Sequence, residues 1–310
     1  MCAKSKRVER ERAPNRHDQS IGSSGLLRLC GTAAAVLLLT IAPMSPGRPA
    51  YVTASGVPSA PAVVAPALSP AACFLAPRQA RFDYPLPRTA RRLAAGQPIK
   101  IVALGSSSTV GLGATSSSAS YPSRLAVELA ARFPESNITV LNRGANGEEA
   151  AEMLARLETS VVVENPDLVI WQLGTNAVLR NHPLDTKATV LHQGLARLKA
   201  IGADIVLMDP QFAPKVLAKS EAEGMVEHIA AIAKAERVDL FPRFDVMRRW
   251  HEVQSLPFDV FVSPDGTHMN DWSYACIAKW LAAAIAEAAT RPTEIGGAHH
   301  TSIQWAPDGG

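Results

Sequence analysis

A chain of 310 residues with 47% apolar side chains is long enough to bury one substantial core. Its formal net charge of +3 originates in the first 28 residues, which hold seven Lys/Arg and three Asp/Glu; the 24 basic and 25 acidic side chains that follow nearly cancel. A near-neutral globular part lacks the basic stripe that a nucleic-acid footprint needs, which argues against nucleic acid as a partner.

Residues 1–47 join a polar, basic start to an uncharged stretch, Leu29 to Gly47, whose most apolar part is Gly31 to Ala42. About a dozen apolar residues suit a secretory signal better than a membrane span, which needs about 20. The expectation is a secreted or periplasmic protein, with this segment either cleaved or kept as a signal anchor. A retained anchor is the one membrane contact expected. Residues 48–95 read as a Pro/Ala-rich linker and N-terminal extension, because Pro49 to Pro77 holds no charged residue and favours extended chain. In an oxidising compartment Cys73 could pair with Cys276, tying this extension to the last helix; two independent thiols are the alternative. No Cys/His grouping has zinc-site spacing, and no metal is expected.

Residues 96–290 alternate short apolar runs with amphipathic segments, the pattern of an α/β domain with a mainly parallel sheet. Strands are predicted at Lys100 to Leu104, Ile138 to Asn142, Leu168 to Leu173, Ile205 to Met208 and, more weakly patterned, Val238 to Phe241. Helices are predicted at Tyr121 to Phe133, Glu148 to Leu157, Thr186 to Ile201, Ser220 to Arg237 and Asp271 to Ala289, with Gly202 and Asn270 as stop and start signals. Residues 291–310 form a polar tail. A sheet of this kind gathers its functional loops at the carboxyl ends of its strands.

Four loops there carry polar residues. The first, Gly105-Ser106-Ser107-Ser108-Thr109, fits neither a P-loop nor Gly-x-Gly-x-x-Gly, and it offers a serine on a strand-to-loop turn. The second, Asn142-Arg143-Gly144-Ala145-Asn146-Gly147-Glu148, ends a strand where backbone N–H groups can meet an oxyanion; a tight turn is the plainer reading. The third, Leu173-Gly174-Thr175-Asn176-Ala177, offers an asparagine that either donates to developing negative charge or caps the turn. The fourth, Ser263-Pro264-Asp265-Gly266-Thr267-His268, spaces a carboxylate three residues before an imidazole. A serine hydroxyl becomes a nucleophile when a neutral imidazole takes its proton and a carboxylate fixes the imidazole's tautomer. His182 and Gln211 are candidates for lining the pocket, whereas His192, His228 and His251 fall in or beside helical patterns.

In order and placement the four loops resemble the SGNH hydrolase (GDSL-type lipase/acylhydrolase) superfamily over about residues 99–289. The resemblance implies a three-layer α/β/α sandwich of flavodoxin-like topology around a five-stranded sheet. It also implies a triad of Ser107, Asp265 and His268, with the Ser107 N–H, Gly147 N–H and Asn176 side chain as the oxyanion hole, and no cofactor. Two positions depart from the family pattern. Ser106 stands where the family has the aspartate of Gly-Asp-Ser, and Ala177 stands where it has the aspartate of Gly-x-Asn-Asp.

The expected function is a serine esterase acting on small-acyl esters of small molecules or carbohydrates, O-acetylated carbohydrate first, because the loops after Asn176 and Gln211 are short and resemble no apolar lid. Acyl transfer by the same triad, and a non-catalytic envelope or glycan-binding protein on the same fold, are the alternatives. If His268 acts as base, activity is expected to fall as pH drops through the unperturbed histidine value of about 6.5.

Overall fold

In a computed structural model the described residues are Cys73, 81–182 and 185–291. The candidate signal at 1–47, the charge-free run at 49–72 and the tail at 292–310 lie outside them. Among the described residues no helix is long and apolar enough to cross a membrane.

The chain forms α1 (Pro87–Ala94), β1 (Ile99–Gly105), α2 (Ser107–Val110), α3 (Tyr121–Arg132), β2 (Ile138–Gly144), α4 (Ala150–Ala155), α5 (Leu157–Ser160) and β3 (Leu168–Gln172). There follow α6 (Thr175–Leu179), α7 (Asp185–Ala200), β4 (Asp204–Met208), α8 (Pro214–Leu217), α9 (Ala222–Glu236), β5 (Asp239–Phe241), α10 (Arg243–Glu252) and α11 (Asp271–Thr290). The five strands are all parallel, in the order β2-β1-β3-β4-β5. This is the flavodoxin-like order, with its switch point between β1 and β3. Helices α3 and α11 pack together on one face, and α4, α7 and α9 form the other layer.

Strand position follows composition. The continuous apolar runs of β3 and β4 are buried at every residue, as central parallel strands covered by helices must be. β2, whose Asn142 and Arg143 interrupt the pattern, is an edge strand of intermediate burial. Helix α11 starts where its sequence signals: the Asn270 side chain accepts from Ser273 N–H at 3.1 Å, and the Ser273 hydroxyl lies 3.0 Å from Asn270 N. Its apolar residues then bury against the sheet layer, with Trp280 meeting Trp250 of α10 at 5.8 Å between centroids.

Of the linker and extension read at 48–95, Cys73 and residues 81–95 are described. Residues 81–95 are packed onto the domain, with Phe82 and Leu86 in the core. They cross the amino ends of three strands, each with an aspartate as its first residue, Asp204 and Asp239, or just before it, Asp167. Tyr84 N–H donates to Asp239, the Thr89 N–H and hydroxyl donate to Asp204 at 2.7 and 2.8 Å, and Arg88 and Arg92 donate to Asp167. Burial raises Asp204 and outweighs its Thr89 bonds; Asp167 is also raised by burial but is held below its ordinary value by Arg88, Lys100 N–H and Arg92. Cys73 and Cys276 are bonded, with Cα atoms 5.5 Å apart, fastening the extension to α11 across 203 residues of sequence. The helix at 87–94 is only eight residues long, with three arginines and few apolar residues, and the sequence reading passed over it.

Two outcomes are expected from this packing. Cys276→Ser should lower unfolding stability by about 2 to 4 kcal/mol in non-reducing urea titrations and make little difference once the wild type is reduced. The second concerns Asp239, which burial lifts from 3.8 to about 6 against the opposing pull of the Tyr84 N–H. The native state therefore keeps a proton that the unfolded chain gives up near pH 4, so stability is full below that value and declines as pH rises to about 6. Asp239→Asn retains an acceptor for Tyr84, and its urea midpoint should change less than the wild type's between pH 4.5 and 6.5.

Candidate active site

Every polar loop singled out in the sequence lies at or beside the carboxyl edge of the sheet. β1 ends at Gly105, which is in register with Gly144 of β2, and the Gly105 carbonyl accepts from Ala145 N–H at 2.9 Å. Only glycine fits at 105, since a Cβ there would collide with Thr109 Oγ1 and with Gln172 Oε1. The chain then turns at Ser106, an extended residue, into the single turn of α2, which Ser107 opens. A backbone N–H in the first turn of a helix has no intrahelical carbonyl to bond.

Ser107 Oγ lies 2.7 Å from His268 Nε2, and His268 Nδ1 lies 2.5 Å from Asp265 Oδ2. The Asp265 carboxyl is pushed up by partial burial. The His268 N–H and ring, the Thr267 N–H and the Ser263 hydroxyl all donate to it, and together they hold it well below the ordinary carboxylate range. An ionised Asp265 accepts only, so the proton between the two belongs on His268 Nδ1. Nε2 is left with a lone pair facing the Ser107 hydroxyl. Ser107 is 8% exposed, and the His268 side chain is 12% exposed, so both are reachable from solvent while mostly held by protein.

The other two expected donors are joined to each other. Asn176, in the first turn of α6, donates from Nδ2 to the carbonyl of Glu148 at 2.8 Å. An amide nitrogen carries two N–H groups, so one remains beyond this bond. Gly147 adopts φ +76°, a conformation that favours glycine, and its carbonyl accepts from Arg180 Nη2 at 2.8 Å. Arg156 braces the same loop from beneath, binding the Glu148 carboxylate and donating to the carbonyls of Arg143 and Gly105. The loop after β2 is thus fastened to α6 on one side and to β1 on the other.

Ser106 does what its position requires through a partner the sequence reading did not single out. Its N–H and hydroxyl both reach Oε1 of Gln172, at 2.9 and 3.0 Å, and Thr109 Oγ1 reaches the same oxygen at 3.2 Å. Gln172 is 1% exposed. A polar residue closing the otherwise apolar β3 was its one signal. Ala177, at the other departure, is a buried core residue.

The two pocket candidates separate. His182 is half-exposed, its Nδ1 3.1 Å from Glu149 Oε2, and it lines an open cleft of about 830 Å³ together with Asn146, Gly147, Glu149 and Arg180. Gln211 corrects the sequence reading: it is 0% exposed and lines no open surface, because its amide is spent inside the site's foundation. His192 lies on the surface against Glu236, and His251 stacks on Phe258. Among the described residues, no cluster of three or more His, Cys, Asp or Glu side chains is placed to hold a metal ion.

Known proteins share this framework. Against a curated arylesterase from Vibrio mimicus the chain is 29% identical over 108 residues, which is 35% of this chain and 54% of that protein, so the match spans about half of its length. Among solved structures, a two-domain esterase active on acetylated mannans, crystallised with mannopentaose, superposes with a TM-score of 0.59 at 18% identity, covering 70% of this chain and 58% of that one. A catalytic mutant of an acetylxylan esterase from Geobacillus stearothermophilus gives 0.52 at 19% identity, over 60% and 94% of the two chains. At these identities the structural likeness is one of fold. The model of the non-GDSL lipase-like family matches residues 72–291, a span that begins one residue before Cys73 and ends with α11, and the chain belongs to that family, within the SGNH hydrolase-like superfamily.

Proposed function

We propose that the protein is a carboxylic ester hydrolase in which Ser107 is the nucleophile, His268 the general base and then acid, and Asp265 the group that orients His268. The observation that carries this reading is the unbroken line from Ser107 Oγ through both nitrogens of His268 to Asp265, at 2.7 and 2.5 Å. Ser107 Oγ attacks the ester carbonyl as its proton passes to His268 Nε2. The tetrahedral oxyanion collapses, expelling the alcohol, which takes that proton back from His268. Water, deprotonated by the same nitrogen, then attacks the acyl-enzyme and releases the acid and the free serine.

The oxyanion is received by the N–H groups of Ser107 and Gly147 and by Asn176. Supporting this are the position of Ser107 at the start of α2 and the Asn176–Glu148 bond, which brings the second and third loops together. The arylesterase relative supports ester hydrolysis as the reaction. For the substrate we propose short acyl esters of carbohydrates. The open cleft beside Gly147 is edged by Asn146, Glu149, Arg180 and His182, side chains that can hydrogen-bond a hydroxyl-rich group, and the structural neighbours named for acetylated mannans and xylan act on esters of that kind. We place the protein outside the cytoplasm, secreted or periplasmic, where a disulfide such as Cys73–Cys276 persists.

The test is hydrolysis of aryl acetate and aryl butyrate by the full chain. Ser107→Ala and His268→Ala should each lower kcat by about 10⁴-fold or more, and Asn176→Ala by about 10²-fold to 10³-fold. Equal rates for the wild type and both alanine variants would refute the assignment. Asp265 stays ionised wherever His268 titrates, since its donors hold the carboxyl far below the usual range. Activity should therefore fall towards acid along one ionisation limb, seen in kcat/KM against pH, and a two-proton limb would contradict the roles given to these residues.

A further inference from the structure

The buried side chain of Gln211 touches the sequence neighbour of three of the site residues at once. Its Oε1 accepts from Thr175 Oγ1 at 2.8 Å, next to Asn176, and lies 3.4 Å from Ser108 Oγ, next to Ser107. Its Nε2 donates to the carbonyl of Thr267 at 3.0 Å, next to His268. Ser108 and Thr175 lie in the turns after β1 and β3, and Thr267 lies in the segment between α10 and α11; among the described residues no backbone ladder joins these three segments. A neutral carboxamide is the side chain that offers an acceptor and a donor a few ångströms apart, and at 0% exposure neither end is shared with solvent.

The bond to Thr267 bears directly on the imidazole. The carbonyl that Gln211 holds belongs to the peptide linking Thr267 to His268, and the N–H of that same peptide donates to Asp265 Oδ1 at 2.8 Å. One peptide plane is thereby pinned at both ends, by Gln211 and by Asp265, immediately before the His268 side chain. Gln211 is itself anchored. Asp209, two residues earlier, receives Phe244 N–H at 2.8 Å on its carboxylate, and its carbonyl accepts from the fully buried Arg243 Nε at 3.0 Å.

We propose that Gln211 is a positioning residue, setting the His268 loop in register with the Ser107 and Asn176 loops without touching the substrate. The catalytic part of this statement rests on the ester hydrolase reading; the geometric part does not. Gln211→Met fills the same space and removes all three polar contacts. The Nδ1 proton of His268, in its short contact with Asp265, is expected to give a far-downfield ¹H NMR signal that reports the alignment of the pair, assignable by its loss in His268→Ala.

In Gln211→Met we expect that signal to move upfield or broaden away. The acid limb of kcat/KM should move, because the His268–Asp265 pair is no longer held in one alignment. kcat for aryl acetate should fall at least tenfold, with KM changed less than threefold. Gln211→Glu should recover part of kcat at acidic pH, where its buried carboxyl is neutral and has an O–H for Thr267, and lose it as pH rises. An unchanged His268 signal in a folded Gln211→Met protein overturns the proposal, whether or not any ester is cleaved. So does an unchanged pH limb accompanied only by a lower melting temperature. If the wild type cleaves no ester, the hydrolase reading fails, and the NMR signal alone decides the role of Gln211.

Discussion

The hydrogen bond between Ser107 Oγ and His268 Nε2 joins side chains 161 residues apart, and the rest of the structure serves to make that meeting rigid. A serine and a histidine this distant in sequence have no local means of finding each other. They meet because β1 lies inside the sheet between β2 and β3, so the turn after Gly105 emerges at the switch point, and because α11 is capped by Asn270, two residues past His268. Misplacing either loop by an ångström would undo the alignment on which the proposed proton transfer depends. The capping of α11, the packing of that helix on α3 and its disulfide to Cys73 all act on the same end of the chain.

Polar groups buried behind the site do the finer alignment. Gln172 gathers three donors from the turn after β1, and Gln211 connects the loops on either side of it. Each is a neutral amide where a carboxylate would have to be desolvated. Burial is costly for a charge: Asp209, fully buried near Arg243, is raised to about 7, and Arg243 is lowered by the same desolvation. Asp265 escapes this by collecting four donors, from Ser263, Thr267 and both the backbone and ring of His268. The chain therefore keeps its one strongly acidic site carboxylate where it can orient the imidazole.

The five strands were legible in the sequence because each is a short apolar run between polar turns, and their ends moved by one or two residues at most. Ser107, Asp265 and His268 were legible because four loops, each ambiguous alone, fell in one order. What escaped was tertiary. Gln172 looked like the polar end of a strand, and nothing local says that Ser106 and Thr109 converge on it. Gln211 was taken for a pocket residue because a polar side chain after a strand usually faces the cleft, whereas here Thr175, Ser108 and Thr267 draw it inward. Helix α1 carries few apolar residues and holds on through Asp167 and Asp204, at the amino ends of strands far along the chain, contacts that no periodicity reveals. The glycine at 147 was legible as a turn residue, but its bond to Arg180 was not.

The claim on which everything else depends is that Ser107, of three consecutive serines, is the activated one. Intact-mass analysis and peptide mapping after exposure to a fluorophosphonate ester measure this directly, since phosphonylation requires the hydroxyl that the imidazole deprotonates. The geometry predicts one adduct per chain, on Ser107, absent in His268→Ala. An adduct on Ser106 or Ser108, or no adduct on a folded wild-type protein, would contradict it.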